Sequence, residues 1–219
     1  VICTDKTGTL TENRMCVEDF FSEEDGDGAL SLLHEAIASN TTAFINDQNP
    51  QHPEVLGNPT EGALLLWLTE RGIDYLEHRE ASPILAQLPF ATERKYMATV
   101  VVSRVRSGKQ ILYIKGAPEI LFAHCSLSPD KLARYEAQFS TYQSRAMRTL
   151  ALAYRELDEG SDLSDIPTLL EGGLQLIGIF GIMDPVRTEV PEAIRLGQRA
   201  GITVKIITGD TSGTAKEIA

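Results

Sequence analysis

The sequence predicts a mixed fold: an α/β domain built from the two ends of the chain, and an inserted α+β domain with an antiparallel sheet flanked by helices. The α/β part is indicated by an apolar run at residues 1–4 that ends in an acid and a Thr-Gly turn. It is also indicated by a strand, a helix and a second strand that follow one another over residues 174–207. The inserted sheet is indicated by two β-branched segments, 96–105 and 110–114, on either side of a Ser-Gly turn.

The composition is that of a globular protein with one large or two modest domains. The chain has 219 residues, of which 42% are hydrophobic and 23% are charged. A formal net charge of −11 argues against a nucleic-acid partner, because phosphate backbones require an extended basic surface. The three cysteines are odd in number and unevenly spaced, which predicts reduced thiols. The chain begins in mid-strand without a methionine, and no apolar run approaches the roughly 20 residues of a membrane span, so we expect a cytosolic fragment.

The first element is a strand that opens into a loop of phosphate size. Asp5 stands at its carboxyl end, where open α/β sheets bind ligands, and its carboxylate is able to attack phosphorus. Lys6 and the hydroxyls of Thr7 and Thr9 supply charge and hydrogen bonds for the transferring oxygens, and Gly8 permits the tight backbone path. An ordinary junction between a strand and a turn uses the same residue types. The spacing alone therefore predicts only a loop compatible with a nucleophile.

Residues 14–54 begin the predicted insert. We predict a strand at 14–21, a helix at 29–39 and a polar loop at 41–54. The residues predicted on the apolar face of the helix are Leu30, Leu33 and Ile37.

A second helix is predicted from its end signals. Asn58 is a suitable N-cap, Pro59 suits the first helical position and Gly72 ends the pattern. A further helical stretch follows to about Ala81, before the predicted hairpin.

The hairpin leads into the sequence KGAPE at residues 115–119. Its glycine lets a flat ring approach the backbone, and its lysine is able to reach anionic oxygens. A helix then begins at Ser128, a strand is predicted at 148–155 and an acidic surface loop at 156–171. The residues predicted on the buried face of the helix are Leu132, Tyr135, Phe139 and Ala146.

The C-terminal part repeats the plan of a strand that ends at a polar loop. Residues 174–183 are a nearly continuous apolar run, which predicts a buried strand, and Asp184-Pro185 suits a defined hinge. A helix with Pro191 in its first turn and a buried, parallel-type strand at 202–207 follow, which together predict a βαβ unit. This last strand ends in the polar segment 208–210.

The string DKTGTLT at residues 5–11 is identical to the phosphorylation signature of the P-type ion-pumping ATPases, and the chain resembles this family along most of its length. The resemblance implies that Asp5 accepts the γ-phosphoryl group of ATP. It also implies that Mg²⁺ bridges oxygens at this site, with Asp5 and Thr7 as protein ligands. The catalytic residues that it implies are Asp5, Lys6, Thr7, Thr208, Gly209 and Asp210.

A nucleotide pocket follows from the same resemblance. GNPTE at residues 57–61 resembles the segment whose acid contacts the adenine amino group, and Phe90 resembles the aromatic residue that stacks on adenine. Arg148 resembles a phosphate contact, although a surface ion pair remains the alternative, and Thr92 departs from family members that have an arginine there. The nucleotide-binding residues implied are Glu61, Phe90, Lys95, Lys115, Gly116, Ala117, Arg148 and Leu150.

The resemblance also implies a domain plan. Residues 1–14 and 178–219 correspond to an incomplete Rossmann-like phosphorylation domain of the haloacid-dehalogenase type, with a nucleotide-binding domain at 15–177 inserted. The hinge motif D-P-x-R corresponds to Asp184, Pro185 and Arg187. The whole protein is expected to be a calcium-type pump in a membrane. Its actuator and transmembrane domains would be the partners of this part, and the transported cation would cross the membrane domain.

For a pump, one part of the site is missing from these 219 residues. The family completes its site with a downstream lysine and a G-D-G-x-x-N-D loop, so we expect ATP binding with little turnover.

Two other interpretations remain open. A soluble haloacid-dehalogenase-like phosphatase with a large cap shares the D-x-T-G-T strand end. Such enzymes commonly carry a second acid two residues after the nucleophile, where this chain has Thr7. A nucleotide-sensing or partner-binding module is the third interpretation.

Overall fold

The computed structural model describes residues 1–24, 26–46, 53–158, 160–171 and 173–207. The strands in these ranges are β1 (Ile2–Asp5), β2 (Cys16–Phe21), β3 (Phe44–Asn46), β4 (Glu54–Leu56), β5 (Ile84–Ala91), β6 (Tyr96–Val102), β7 (Gln110–Gly116), β8 (Arg148–Glu156), β9 (Gln175–Met183) and β10 (Val204–Ile207). The helices are α1 (Asp27–Ser39), α2 (Pro59–Thr69), α3 (Tyr75–Ala81), α4 (Pro118–His124), α5 (Pro129–Ser144), α6 (Ile166–Leu169) and α7 (Val190–Arg199).

The centre of the molecule is a six-stranded antiparallel sheet with the order β2-β9-β8-β7-β6-β5. The predicted hairpin is confirmed as β6 and β7, which pair from Tyr96 opposite Gly116 to Val102 opposite Gln110. The edge strand β5 is not predicted by the sequence, because Pro89 interrupts its pattern. Proline is tolerated there because an edge strand leaves one side of its backbone unpaired.

Helices cover both faces of this sheet, and two apolar clusters result. The first joins α1, α2 and α3 to alternate strand residues such as Ile111 and Tyr113. The second joins α4, α5 and α6 to the intervening residues, such as Leu112 and Ile114. Successive side chains of a strand point to opposite faces, so β7 is buried on both sides.

A separate pair of parallel strands, β1 and β10, joins the two ends of the described chain. Ile2 lies opposite Val204, and Asp5 lies opposite Ile207. The parallel character predicted for residues 202–207 is therefore confirmed. The predicted burial is wrong, because none of these residues is buried and Ile207 is 63% exposed. Among the described strands β10 pairs only with β1, so little of the described chain covers it. The predicted βαβ unit is wrong in its first strand, because β9 lies antiparallel between β2 and β8. Its continuous apolar run reflects an antiparallel sheet covered on both faces, and a parallel strand gives the same pattern.

Several local predictions also change. The predicted loop at 41–54 contains β3 and the start of β4, which form a short hairpin, although residues 47–52 lie outside the described ranges. Leu30 is 48% exposed, and the buried face of α1 is formed by Leu32, Leu33, Ala36 and Ile37. In α5 the fully buried residues are Tyr135 and Tyr142. The predicted loop at 156–171 contains the short helix α6.

Two neighbouring segments connect the antiparallel sheet to the β1–β10 pair. Arg187 N donates to Leu10 O at 2.9 Å, which ties the segments together through their backbones. Asp184 accepts from the Thr11 hydroxyl at 2.6 Å and from Arg14 N at 3.1 Å. Asp184, a predicted hinge residue, therefore lies where the two segments meet and joins them through its side chain.

None of the described helices combines the length and the apolar character that a bilayer crossing requires.

Candidate functional site

A cavity of about 380 Å³ opens at one end of the antiparallel sheet. Its walls come from the first turn of α2, the end of β5, the turn between β5 and β6, the ends of β6 and β7, and the start of β8. The volume falls in the range of small-molecule sites. Segments distant in sequence thus converge on one concave surface.

The floor of the cavity is a buried ion pair. Lys115 Nζ lies 2.8 Å from Glu61 Oε1, and the two side chains are only 5% and 9% exposed. Burial by itself raises the pKa of Glu61, but the charge of Lys115 and the donors of Thr42 outweigh it and hold that pKa below its usual range. Burial lowers the pKa of Lys115, against the opposing effect of Glu61. Glu61 is therefore an ionised carboxylate at neutral pH.

The segment after α1 holds this pair in place. Asn40 O accepts from Lys115 Nζ at 2.5 Å. Glu61 Oε2 accepts from the Thr41 hydroxyl, the Thr42 hydroxyl and Thr42 N at 2.8–3.0 Å. The Asn40 amide is itself fixed across the sheet, since it donates to Met97 O and accepts from Thr99. The charges at the floor are therefore rigidly placed rather than solvated.

One wall of the cavity is the ring of Phe90, near the end of β5. This residue is 59% exposed, so much of its ring is accessible to a ligand. Met97 and Leu150 add apolar surface to the lining. An exposed aromatic ring beside apolar side chains is a suitable surface for stacking a flat heterocycle.

The mouth of the cavity depends on a strained turn. Lys95 has φ of 57°, a left-handed conformation that a lysine rarely adopts. Its carbonyl accepts from Ala117 N at 3.0 Å, which joins the turn to the segment after β7. A Cβ at Gly116 would lie only 2.6 Å from that carbonyl, so glycine is required for this close approach. Strained backbone held by its surroundings is frequent at functional sites.

Lys95→Gly should therefore stabilise the fold while removing a charge at the cavity. Relief of the left-handed conformation outweighs the added freedom of glycine in the unfolded chain, and we expect a gain of about 0.5–1 kcal/mol. Urea unfolding measures this change. Glu93→Gly in the same turn is the matched control, because Glu93 has no positive φ to relieve and glycine there should lower stability. Equal effects of the two variants would contradict the strain argument.

The end of β1 and the loop that follows it form a second candidate site. Asp5 is exposed at the carboxyl end of β1, and its Oδ1 accepts from Lys6 N at 2.8 Å. Gly8 has φ of 77° inside the turn that follows, and Arg187 donates to its carbonyl at 3.2 Å. Thr7 is exposed and Lys6 is buried. The predicted site residues Thr208, Gly209 and Asp210 lie outside the described residues.

The cavity brings together seven of the eight predicted nucleotide-binding residues. They are Glu61, Phe90, Lys95, Lys115, Gly116, Ala117 and Leu150. Arg148 is not in the lining and is exposed at the start of β8. The lining residues that were not predicted to bind nucleotide are Asn58, Thr60, Met97, Glu119 and Thr149. Thr60 and Thr149 directly adjoin predicted residues, and Met97 and Glu119 lie two positions from one, so proximity in sequence is the available signal. That these side chains bind nucleotide stays a prediction.

Comparison with known proteins assigns the chain to a family. Residues 29–189 match the cation-ATPase family described as P-type ATPase, cytoplasmic domain N. The chain belongs to this family. The match includes five of the six strands of the antiparallel sheet, β5 to β9, and begins after β2. All residues that line the cavity fall within it.

Relatives of this P-type ATPase domain carry names of calcium pumps. The chain is 36% identical to calcium-transporting ATPase 1 of Lactococcus lactis subsp. lactis, with 100% of the chain and 26% of that protein aligned. It is 35% identical to calcium-transporting ATPase PAT1 of Dictyostelium discoideum, with coverage of 100% and 21%. It is 34% identical to calcium-transporting ATPase 5, plasma membrane-type, of Oryza sativa subsp. japonica, with coverage of 100% and 22%. The chain thus spans about a quarter of the length of these relatives.

Proposed function

We propose that this chain is the ATP-binding and phosphoryl-accepting cytosolic part of an ATP-driven calcium pump. The observation that carries the proposal is the cavity, in which an exposed aromatic wall stands above a buried Glu61–Lys115 pair. Membership of the P-type ATPase domain N family and the names of the relatives support the reaction and the ion. The same membership favours a pump over a soluble phosphatase with a large cap.

The cavity is suited to the nucleoside end of ATP. Phe90 would stack on the adenine ring, and stacking of this kind does not require a charged partner. Glu61 Oε1 accepts from Lys115, whereas Oε2 carries the three donors of Thr41 and Thr42, so Oε1 has remaining capacity for the adenine amino group. A cavity of about 380 Å³ holds a nucleoside, and the phosphates would extend toward its mouth.

Phosphoryl transfer would then take place at Asp5. An oxygen of the carboxylate attacks the γ-phosphorus, the bond from that phosphorus to the bridging oxygen breaks, and ADP leaves. The hydrogen bond from Lys6 N fixes the orientation of the nucleophile. Lys6, Thr7, Thr208 and Gly209 would stabilise charge on the transferred group, with Asp210 in the same site.

Mg²⁺ is the metal that this reaction implies, and the donors near Asp5 are compatible with it. The Asp5 carboxylate and Thr7 are exposed and offer hard oxygen ligands, which this ion prefers together with phosphate oxygens and water. We propose these two residues as its protein ligands. When bound, the ion would neutralise charge on the phosphates.

The domain plan remains part of the proposal. We propose a Rossmann-like phosphorylation domain of the haloacid-dehalogenase type at residues 1–14 and 178–219, around a nucleotide-binding domain at 15–177. The position of β9 inside the antiparallel sheet favours moving the second boundary to the end of that strand, at Met183. Asp184, Pro185 and Arg187 would then form the hinge across which closure brings the γ-phosphate to Asp5. The actuator and membrane domains of a multi-pass protein would be the partners.

The test uses the full-length pump and radiolabelled ATP. We expect an acid-stable phosphoprotein in the presence of calcium, and its complete loss in Asp5→Asn, while ATP affinity is retained because the cavity is unchanged. Phosphorylation that persists in Asp5→Asn would overturn the assignment of the nucleophile. If calcium transport were unchanged in Asp5→Asn, the result would instead support the nucleotide-sensing or partner-binding module. The isolated 219-residue chain should bind ATP with little turnover.

A further inference from the structure

The charged residues of the cavity form two pairs at different depths. Glu61 and Lys115 lie at the floor, where both side chains are less than 10% exposed. Lys95 and Glu119 lie at the mouth, with Lys95 Nζ 3.5 Å from Glu119 Oε1 and exposures of 56% and 49%. All four belong to the cavity lining, so its two positive and two negative side chains cancel. A neutral cavity offers little attraction to a ligand that carries several negative charges.

We propose that Glu119 is a specificity-determining residue that keeps the mouth neutral, so that the cavity selects its ligand by the nucleoside and not by phosphate charge. This inference rests on the proposed ATP binding and names the residue that limits how much the phosphates contribute to the affinity. Lys95 is the mouth cation that a phosphate would approach, and in the free protein it already has a carboxylate partner. A phosphate that binds Lys95 must therefore approach the negatively charged Glu119 carboxylate.

Three local features place Glu119 beside Lys95. Pro118 occupies the first turn of α4, so the direction of the chain before Glu119 is set by its ring. Ala117 N donates to Lys95 O, which holds the two segments at a constant distance. Glu119 also lies in the first turn of α4, where a carboxylate is favoured by the helix dipole. The acidic residue is thus held at the mouth even though the ion pair itself is largely exposed and weak.

The test is calorimetric titration of the 219-residue chain with ATP, ADP and adenosine. Glu119→Gln removes the charge while it keeps the size, and we expect ATP to bind about fivefold more tightly at low ionic strength. The gain should be smaller for ADP and absent for adenosine, and it should shrink as salt is added, because exposed charges are screened. Glu77→Gln is the matched control, since Glu77 pairs with Arg104 at 3.0 Å in the same exposed manner but outside the cavity lining.

The outcomes separate this inference from the proposed function. If wild type binds ATP but Glu119→Gln behaves like Glu77→Gln, the inference is wrong and ATP binding stands. If adenosine gains as much affinity as ATP, Glu119 acts through packing and not through charge, and the inference is again wrong. If the folded wild-type chain binds none of the three ligands, ATP binding itself fails, and the inference fails with it.

Discussion

Lys115→Met should destabilise the chain by about 3–5 kcal/mol, because it leaves the carboxylate of Glu61 buried without its cation. The carbonyl of Asn40 loses its donor at the same time. Methionine is close to lysine in length and fills the same space, so the loss reports charge and hydrogen bonding more than a cavity. ATP binding should fall below detection, since Glu61 at the floor of the cavity loses the lysine that holds its carboxylate in place. Urea unfolding and calorimetric titration measure the two effects.

A double variant separates stability from binding. Lys115→Met combined with Glu61→Gln has no buried charge, and replacing a buried ion pair with neutral groups is often nearly neutral for folding. The glutamine oxygen is still able to accept from Thr41 and Thr42. We expect the double variant to regain most of the lost stability and to remain unable to bind ATP. A double variant no more stable than the single one would show that the charge of Glu61 is not the source of the loss.

Phe90→Ala should leave stability within about 0.5 kcal/mol of wild type, because the ring is 59% exposed and contributes little to the core. ATP affinity should nevertheless fall by about tenfold to a hundredfold, since base stacking on an aromatic ring contributes roughly 1–3 kcal/mol. A large loss of binding with little loss of stability is the pattern of a ligand contact. Calorimetric titration with ATP and adenosine should give the same factor, as the base is common to both.

The same strand supplies a control for Phe90. Leu85 is 43% exposed on β5 and does not line the cavity, so Leu85→Ala should change neither stability nor affinity appreciably. Phe90→Trp should retain ATP binding, because a larger aromatic face is also able to stack. Equal binding by wild type and Phe90→Ala would remove Phe90 from the site.

The cavity shows how far local sequence reasoning reaches. Asn58 does cap α2 as its position predicts, since its side chain accepts from Thr60 N and Glu61 N. This places Glu61 in the first turn, but nothing local indicates that its partner is Lys115, 54 residues later in the chain. The hydrogen bonds from Asn40, Thr41 and Thr42 to this pair are not indicated by the sequence either, because these residues are polar and follow the predicted helix.

The strands show a different limit. Period and turn signals identify β6 and β7, since their ends are marked by a Ser-Gly turn and their residues are β-branched. The sequence predicts a buried strand at β9 but also a parallel one, because burial on both faces removes the alternation that marks an antiparallel strand. Which strand pairs with which depends on contacts between segments far apart in sequence, such as β2 with β9.

We expect ATP to bind in the cavity between Phe90 and the Glu61–Lys115 pair. The most direct test is a titration of the ¹⁵N-labelled 219-residue chain with ATP, in which the amide chemical shifts are recorded. We predict that the largest saturable changes fall on Thr60, Met97, Gly116, Ala117 and Leu150. A second cavity is lined by Lys131, Tyr135 and Tyr154, among others. Saturable changes confined to that cavity would contradict binding of ATP beside Phe90.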